Sequence, residues 1–452
     1  MNDDKQDLGI ETTTAGGDLI KYKVNDMPPP LLALGLAIQH ILAAFAGIVA
    51  VPLLVGNALG LTLEENTYIV SATLFVAGLA TVIQSAGIGP IGNRMPMVMG
   101  TDFTFVGPGI AVGQAFGLPG YFGATFLGSF IEIVLSRFIK PLQKFFPPLV
   151  SGVVICSIGS TMIPIAFDWV GGYDPAAYGN FENLFLAGIT MVTIIILNQK
   201  GKGFFSSGAI LLGIVVGYFV AFCMGMLDLS PITDAGWLTF PEPFHFGIKF
   251  TLVGFLSFFP AYIVTTIETV GGGVLVMKAC GEDVDGDKLA GGVLGDGVGS
   301  LLAGIFNAGP NTSFSQNIGI IPLTGVASRW VVALTGVILM IMGVFPKIGA
   351  LVSIMPSPVL GGAGILMFGM IVAGGIQNFR EVDFTRRNSL ILAMSLALGL
   401  GVTFRPDILS RFPEQLQIVF HSGMTTATLT ALFLNIILPE TKGPEQAAES
   451  YL

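Results

Sequence analysis

The stretch GPNTSFSQNIGIIPLTGVASR, residues 309–329, decides how this chain can fold, because it places a dense polar run inside an otherwise apolar sequence. The run comprises Asn311, Thr312, Ser313, Ser315, Gln316 and Asn317. Buried polar groups without partners are costly, and non-helical backbone at membrane depth is tolerated only where protein covers it or where it lines a cavity. We therefore expect this stretch to line a polar site between membrane-spanning segments.

The composition around this stretch is that of a polytopic membrane protein. Of the 452 residues, 52% are hydrophobic and 11% are charged, with a mean hydropathy of +0.79, whereas soluble proteins average about 25% charged residues. The net charge of −9 excludes a nucleic-acid-binding protein on electrostatic grounds. The expected partners are the lipid bilayer and a small molecule.

No catalytic or metal-binding pattern accompanies the apolar segments. The three cysteines, Cys156, Cys223 and Cys280, lie apart in apolar runs and are interpreted as packing residues. The sequence has neither a nucleophile elbow nor a phosphate-binding glycine loop. We predict no enzyme activity, no metal site and no cofactor.

Spans need about 20 apolar residues, and the sequence predicts fourteen segments in an all-α protein. They cover residues 31–55, 67–87, 99–115, 118–138, 148–167, 184–198, 206–227, 250–277, 289–306, 314–328, 329–346, 357–376, 388–404 and 417–438. Polar residues 1–30 are interpreted as an N-terminal tail without a cleavable signal peptide, and residues 441–452 as a C-terminal tail.

The distribution of Lys and Arg predicts the orientation. With both termini in the cytoplasm, alternating segments place only Lys249, Lys347, Arg405 and Arg411 outside, and the other sixteen of the 20 cationic residues inside. Cytoplasmic loops carry an excess of Lys and Arg, so the pattern favours an even number of spans in the cell (inner) membrane.

A short internal repeat relates the third and tenth segments. Thr101-Asp102-Phe103-Thr104-Phe105 resembles Thr312-Ser313-Phe314-Ser315-Gln316, seven segments later. Seven is odd, so the second copy enters the membrane from the opposite face, as in the inverted repeats of transporters. We predict a short extended stretch (103–105 and 314–316) that leads into a half-helix in each copy.

Intramembrane ionisable residues are functional candidates. Glu268 precedes Gly271–Gly273, which open space beside a carboxylate that can accept hydrogen bonds from a planar heterocycle. Asp296 lies between two glycines and fits either proton transfer or a structural bond between helices.

The remaining polar residues inside the predicted segments each leave two interpretations open. Gln39 and His40 fit a pocket wall or a satisfied core pair. Asp102 fits the site or a helix N-cap, while Glu132, near Arg137, is interpreted as a surface or interhelix pair.

Gln316-Asn317-x-Gly319-x-x-x-x-Thr324-Gly325 resembles the signature of the nucleobase–ascorbate transporters, also called the nucleobase–cation symporter-2 family. The resemblance extends to Gln39-His40, Asp102–Phe105, Glu268 and Asp296. Gln316 resembles the residue of the purine branch of xanthine and uric acid permeases, where uracil permeases typically carry Glu.

The resemblance implies two inverted repeats of seven segments, with short strands in segments three and ten. Residues 31–145 (segments 1–4) and 247–346 (segments 8–11) would form a core domain. Residues 146–246 (segments 5–7) and 347–440 (segments 12–14) would form a gate domain. Substrate would bind between the two domains, and the protein would be a homodimer.

The resemblance also implies roles for individual residues. Glu268 and Gln316 would contact the base through their side chains, and Phe103 and Gln316 through their backbone, with Ser315 and Asp102 beside them. His40, Asp296, Asn317 and Gln39 would support the site or the coupling to a cation, a proton or alternatively sodium.

Two positions depart from the xanthine permease pattern. The second acid expected four residues after the glutamate is Gly272, and Asp102 stands where Asn or a small hydroxyl residue is usual. We hypothesise that Asp102 takes over an acidic role, hydrogen-bonded to His40.

The predicted function is the import of an oxopurine, xanthine or uric acid, by cation symport with alternating access. Uracil transport within the same family and anion transport by a sulfate-permease-like protein of the same architecture are the alternatives. The intramembrane acids argue against an anionic substrate. The sequence does not decide between xanthine, uric acid and a broader purine range.

Overall fold

The computed structural model describes residues 20–139, 147–172, 176–420 and 422–439, and these residues are mostly helical. The principal helices are α1 (Pro30–Ala58), α2 (Leu63–Ala86), α3 (Val106–Leu135), α4 (Pro148–Gly171), α5 (Phe181–Lys200), α6 (Ala209–Cys223), α7 (Leu252–Ala279), α8 (Gly286–Phe306), α9 (Arg329–Val344), α10 (Ser357–Asn378), α11 (Arg386–Phe404) and α12 (Gly423–Ile437). The strands are β1 (Met99–Thr101) and β2 (Asn311–Ser313).

Shorter helical turns connect these elements. They are Phe103–Phe105, Ser136–Phe138, Phe204–Ser207, Ser230–Asp234, Gln316–Gly319, Ile320–Thr324, Pro346–Ser353, Phe379–Glu381, Pro406–Leu409 and Glu414–Phe420. Most of the predicted N-terminal tail (1–19), the C-terminal tail (441–452) and the predicted domain boundary at 145/146 lie outside the described residues.

The helices show an integral membrane protein. Among the described residues, nine helices are long and apolar enough to cross a membrane, or ten if α9 and Pro346–Ser353, bent by 82°, form one span. Other predicted segments coincide with shorter or broken elements, such as 206–227 with α6 and 417–438 with Glu414–Phe420 and α12. The count of fourteen spans therefore stays a prediction.

Local sequence signals explain several helix boundaries. Thr62 and Glu65 form a reciprocal capping box at the start of α2, and Asp285 caps α8 by accepting from the backbone N–H groups of Asp287 and Lys288. Within α3, Gly117 has a φ of 72°, which breaks the helix between the third and fourth predicted segments.

The two strands meet at the centre of the chain's polar stretches. β1 pairs antiparallel with β2, with Gly100 opposite Thr312, and all residues of both strands are buried. Pairing of Gly100 with Thr312, 212 positions later in the chain, satisfies backbone groups that no helix satisfies here. The predicted extended stretches were misplaced: Phe103–Phe105 is a 3-10 turn, and the strand residues precede residues 314–316.

The helices pack into two groups. One group contains α1–α3 and α7–α9, in which α2 lies against α9 and α3 against both α7 and α8. The other contains α4–α6 and α10–α12, in which α4 lies against α10. Gly78 on α2 and Gly336 on α9 face each other so closely that a Cβ on either would overlap the partner backbone. Contacts between the two groups are fewer, and they include α1 with α6 and α7 with α12.

Candidate functional site

Helix α7 brings Glu268 to the crossing of the two polar stretches. The helix packs against the turn Phe103–Phe105 and also against the turn Gln316–Gly319. Glu268 is partly exposed, and no hydrogen bond to its carboxylate exists in the described part of the chain. Its carboxylate is therefore available to a ligand.

Gln316 begins the turn that follows β2. Both Gln316 and its neighbour Ser315 are exposed, whereas Asn311, Thr312 and Ser313 are buried in and beside the strand. The polar run of the sequence therefore contains an open pair, Ser315 and Gln316, while its other residues, Asn317 included, are buried. The open pair presents a hydroxyl group and an amide where α7 packs against the turn Gln316–Gly319.

Phe103 and Asp102 occupy the matching position after β1. The Phe103 ring is buried and meets the Phe368 ring of α10 edge to face, with centroids 5.2 Å apart. Asp102 Oδ1 accepts from the backbone N–H of Thr104 at 2.6 Å and caps the turn. Phe103 therefore joins the two helix groups, and Asp102 fixes the start of the half-helix.

His40 and Asn317 form a buried pair between α1 and the second turn. Asn317 Nδ2 lies 3.2 Å from His40 Nδ1 and donates to the His40 carbonyl at 2.9 Å. The hypothesis of an Asp102–His40 bond was wrong: His40 bonds to Asn317, and Asp102 to Thr104. The Asp102 carboxylate accepts a hydrogen bond from the start of its own helical turn, and this local partner competes with a residue on another helix such as His40.

Asp296 on α8 holds the crossing strands together. Its fully buried carboxylate accepts from Thr312 Oγ1 and from the Ser313 backbone N–H, each at 3.2 Å, and from Ser313 Oγ at 2.8 Å. Gln84 Nε2 donates to it at 3.2 Å, and Thr269 Oγ1 donates as well. We call these five residues (Gln84, Thr269, Asp296, Thr312 and Ser313) the Asp296 cluster.

The cluster explains two residues that sequence reasoning undervalued. Gln84 stands out in the sequence only as a polar residue inside an apolar segment, yet it also donates to Ser313 Oγ at 2.7 Å. Thr269 follows Glu268 directly in the sequence, but its hydroxyl group donates to Asp296. Both link α2 or α7 to β2, and such long-range partners have no signature in local spacing.

Gln39 contacts the other helix group. It is buried, and its Nε2 donates to Ser207 Oγ at 2.9 Å in the short helix before α6. Gln39 therefore forms a hydrogen bond between the two helix groups and not with Glu268.

Glu132 differs from its interpretation as a surface residue. Its side chain is fully buried on α3, and Thr265 Oγ1 of α7 lies 2.6 Å from its Oε1. The interhelix alternative is therefore correct, with Thr265 as the partner, and the surface alternative is wrong because α7 and α8 pack on α3 at this position.

The candidate site consists of the Glu268 carboxylate on α7 and of the Gln316 amide and the Phe103 ring on the two short turns that α7 contacts. Among the described residues, no group of three or more His, Cys, Asp or Glu side chains could hold a metal ion. A carboxylate accepts hydrogen bonds and an amide both donates and accepts them, which suits a flat polar heterocycle.

Comparisons with known proteins agree with this chemistry. A family model described as "Permease family", that of the nucleobase–ascorbate transporters, matches residues 32–408. The chain is 49% identical to a Clostridium perfringens protein that carries the provisional name of purine permease, over 92% of both chains. It is 40% identical to the xanthine permease of Bacillus subtilis, over 92% of this chain and 96% of the relative. It is also 40% identical to the uric acid transporter UacT of Escherichia coli, over 90% and 86%.

Solved structures share the fold at low sequence identity. The transmembrane domain of a cyanobacterial bicarbonate transporter, BicA, superposes with a TM-score of 0.61 at 15% identity, over 91% of this chain and 99% of that domain. The structure of SLC26A9 gives a TM-score of 0.58 at 14% identity, over 90% and 66%.

Proposed function

This chain belongs to the nucleobase–ascorbate transporter family, in the branch of xanthine and uric acid permeases, and we propose that it imports an oxopurine together with a cation. Its relatives are permeases and transporters, so the protein is a transporter and not an enzyme. Purine transport is the chemistry that the names of the relatives share.

The free carboxylate of Glu268 carries the proposal. It lies on the helix that contacts both turns of the crossing, it is partly exposed, and it has no protein partner among the described residues. Oxopurines present alternating N–H donors and carbonyl acceptors along one edge. A carboxylate and an amide, Glu268 and Gln316, can match that edge, and an analogue without it would leave them unpaired.

The other predicted site residues support these two. Phe103 and Ser315 would contribute backbone or edge contacts next to the base, and Asp102 would hold the half-helix that presents them. His40 and Asn317 would fix the second turn, and Asp296 would fix the strands that position both turns. We assign Gln39 to the contact between the two helix groups.

Packing supports a core domain and a gate domain related by an inverted repeat of seven segments each. If the first seven segments are exchanged with the last seven, the contact between α2 and α9 corresponds to the contact between α8 and α3. The contact between α5 and α6 likewise corresponds to the contact between α11 and α12. All four of these helix pairs are in contact. In the proposed mechanism, the core (31–145 and 247–346) moves against the gate (146–246 and 347–440), carrying the bound purine across.

Coupling, orientation and assembly complete the proposal. The family resemblance supports a proton as the coupling ion, with sodium as the alternative, and a homodimer. The Lys and Arg distribution supports cytoplasmic termini.

Radiolabelled uptake into proteoliposomes tests the function. Xanthine or uric acid should accumulate and compete with each other, and uracil should compete poorly. A pH gradient and a sodium gradient, imposed separately, identify the coupling ion. Saturable uptake with uracil as the best competitor would select the uracil alternative, and transport of sulfate or bicarbonate without purine transport would overturn the proposal.

A further inference from the structure

Glu132 is a buried acid for which the proposed site has no use. Its side chain is fully buried between α3, which carries it, and helices α7 and α8, which pack on α3. Its Oε2 atom has no hydrogen-bond partner. In the described part of the chain, no Lys, Arg or His nitrogen lies within 4.0 Å of its carboxylate.

Other hydroxyl groups near Glu132 donate to backbone carbonyls and not to its carboxylate. Ser129 and Ser136, about one turn away on α3, donate to the carbonyls of Phe126 and Ile133 at 2.7 Å each. The Tyr262 hydroxyl donates to the Thr125 carbonyl at 2.8 Å. Thr265 is therefore the single recorded donor to Glu132 among the described residues.

Thr265 has one proton and three acceptors. Its Oγ1 lies 2.6 Å from Glu132 Oε1, 3.3 Å from the Ala261 carbonyl and 3.2 Å from the Tyr262 carbonyl. If Glu132 is ionised, Thr265 must turn its proton toward the carboxylate and leave both carbonyls. If Glu132 is protonated, its O–H donates to Thr265, and Thr265 donates to a carbonyl of its own helix. The contact therefore accommodates both protonation states by rotation of one hydroxyl.

Charged groups around Glu132 are acidic. Asp296 on α8 and Asp102 at the start of the 103–105 turn interact electrostatically with Glu132, and the same two acids interact with Glu268. Tyr262 on α7 also interacts electrostatically with Glu132. Arg137, which is exposed in the turn that follows α3, is the nearest cationic residue in the sequence. A proton on Glu132 would supply a donor of the kind that its buried surroundings lack.

We propose that Glu132 is a proton-binding site of the transport cycle, a carboxylic acid inside the core domain that takes up a proton from water as purine binds and returns it as purine leaves. This inference rests on the proposed transport function. Purine N–H groups bond to the ionised Glu268, and the bound purine shields that carboxylate from water. A proton that Glu132 takes up from water then offsets this less screened negative charge, while Glu268 neither gains nor loses a proton, so one proton is bound with each purine and the two binding events reinforce each other.

Infrared difference spectroscopy tests the proton site without any transport measurement. Wild-type protein, titrated with pH, should show the carbonyl stretch of a protonated carboxylic acid, and Glu132→Gln should lack it. Addition of xanthine should increase the band. The control Glu64→Gln changes an exposed acid in the first turn of α2 and should keep the band. A spectrum that is identical in wild type and Glu132→Gln at every pH would overturn the proposal.

Transport in proteoliposomes tests whether the proton is used. For Glu132→Gln, accumulation driven by a pH gradient should fall about tenfold, and the protons moved per purine should fall. Counterflow exchange, which needs no net proton movement, should fall less. Gradient-driven accumulation equal to wild type, with unchanged pH dependence, would overturn the proton site while leaving purine transport intact. Absence of purine uptake by wild type would instead overturn the function, and the infrared titration would still decide the site.

Thr265 provides a second test if Glu132→Gln does not fold. Thr265→Val removes the single recorded donor to the ionised acid, so the pH profile of uptake should move to the alkaline side. Thr265→Ser keeps the hydroxyl and should restore the wild-type profile. A Thr265→Val profile that coincides with wild type would contradict the proposal.

Discussion

Glu268 and Asp296 are carboxylates on neighbouring helices of the same helix group, and their hydrogen bonding differs. Asp296 is fully buried and accepts five hydrogen bonds from four residues. Glu268 is partly exposed and accepts none within the described residues. The two adjacent residues Glu268 and Thr269 of α7 therefore serve different purposes, because Thr269 belongs to the Asp296 cluster.

The difference shows how to separate structural from ligand-binding acids in a membrane. An intramembrane carboxylate is a functional candidate by default. When protein donors occupy all of its hydrogen-bonding positions, however, it serves to hold helices together. A partly exposed carboxylate that accepts no hydrogen bond from the protein remains able to bind a ligand. Glu132 is a third case, since it is buried like Asp296 and nearly without donors like Glu268.

Replacement of Asp296 should have the largest effect. Asp296→Ala removes the acceptor that the Ser313 N–H, three hydroxyl groups and the Gln84 amide share, and each buried donor left unsatisfied costs about 1–3 kcal/mol. We expect a large drop in melting temperature in detergent and loss of uptake. Asp283→Ala, an exposed acid before α8, is the control and should behave like wild type. Wild-type thermal stability of Asp296→Ala would show that the cluster does not hold the strands.

Replacement of Glu268 should separate activity from stability. Glu268→Gln removes no protein hydrogen bond among the described residues, so the melting temperature should stay near that of wild type. Uptake of xanthine should fall about 100-fold or more, because the amide replaces one acceptor oxygen by an NH2 donor, which cannot bond to a purine N–H. Isothermal titration of purine binding checks the expected loss of substrate binding, and a melting curve checks the expected stability. Uptake near wild type would remove Glu268 from the site.

The sequence alone predicts the outline of this comparison. Long apolar segments, a polar run at 311–317 and a glutamate before three glycines are visible without coordinates. The Gln316 signature shows the family, which the comparisons confirm. These features are local, and local patterns of hydropathy and spacing record them.

The details that the sequence did not predict depend on distant partners. The strands lie at Met99–Thr101 and Asn311–Ser313, because three-residue strands have no periodicity and are defined only by their pairing. His40 found Asn317 rather than Asp102. The Asp296 cluster joins three helices and a strand, and no spacing rule connects Gln84 with Ser313.

Ser207 offers a smaller effect on the contact between the two helix groups. Ser207→Ala removes the acceptor of Gln39, and a hydrogen bond of about 1 kcal/mol corresponds to roughly a fivefold shift between conformations. The described conformation exposes Ser315. In a background with Cys156, Cys223 and Cys280 replaced by Ala, we expect thiol labelling of Ser315→Cys to slow about fivefold when Ser207→Ala is added.

An unchanged labelling rate would show that the Gln39–Ser207 bond persists in every conformation. Ser206→Ala is the matched control, since Ser206 bonds to the carbonyl of Asn198 within the second helix group, at 3.4 Å. It should leave the labelling rate as in the parent protein.

Asp102 should show the smallest effect and sharpen the comparison of acids. Its carboxylate is partly exposed, as is that of Glu268, but it already accepts from the Thr104 N–H. Asn caps a helix start about as well as Asp, whereas Ala costs about 1 kcal/mol. Asp102→Asn should therefore keep xanthine uptake at its optimal pH within about threefold of wild type, and Asp102→Ala should lower the melting temperature. A tenfold loss of uptake in Asp102→Asn at every pH would mean that Asp102 acts on the substrate and not only as a cap. Asp102 would then belong with Glu268 among the acids that serve the ligand, despite its protein donor.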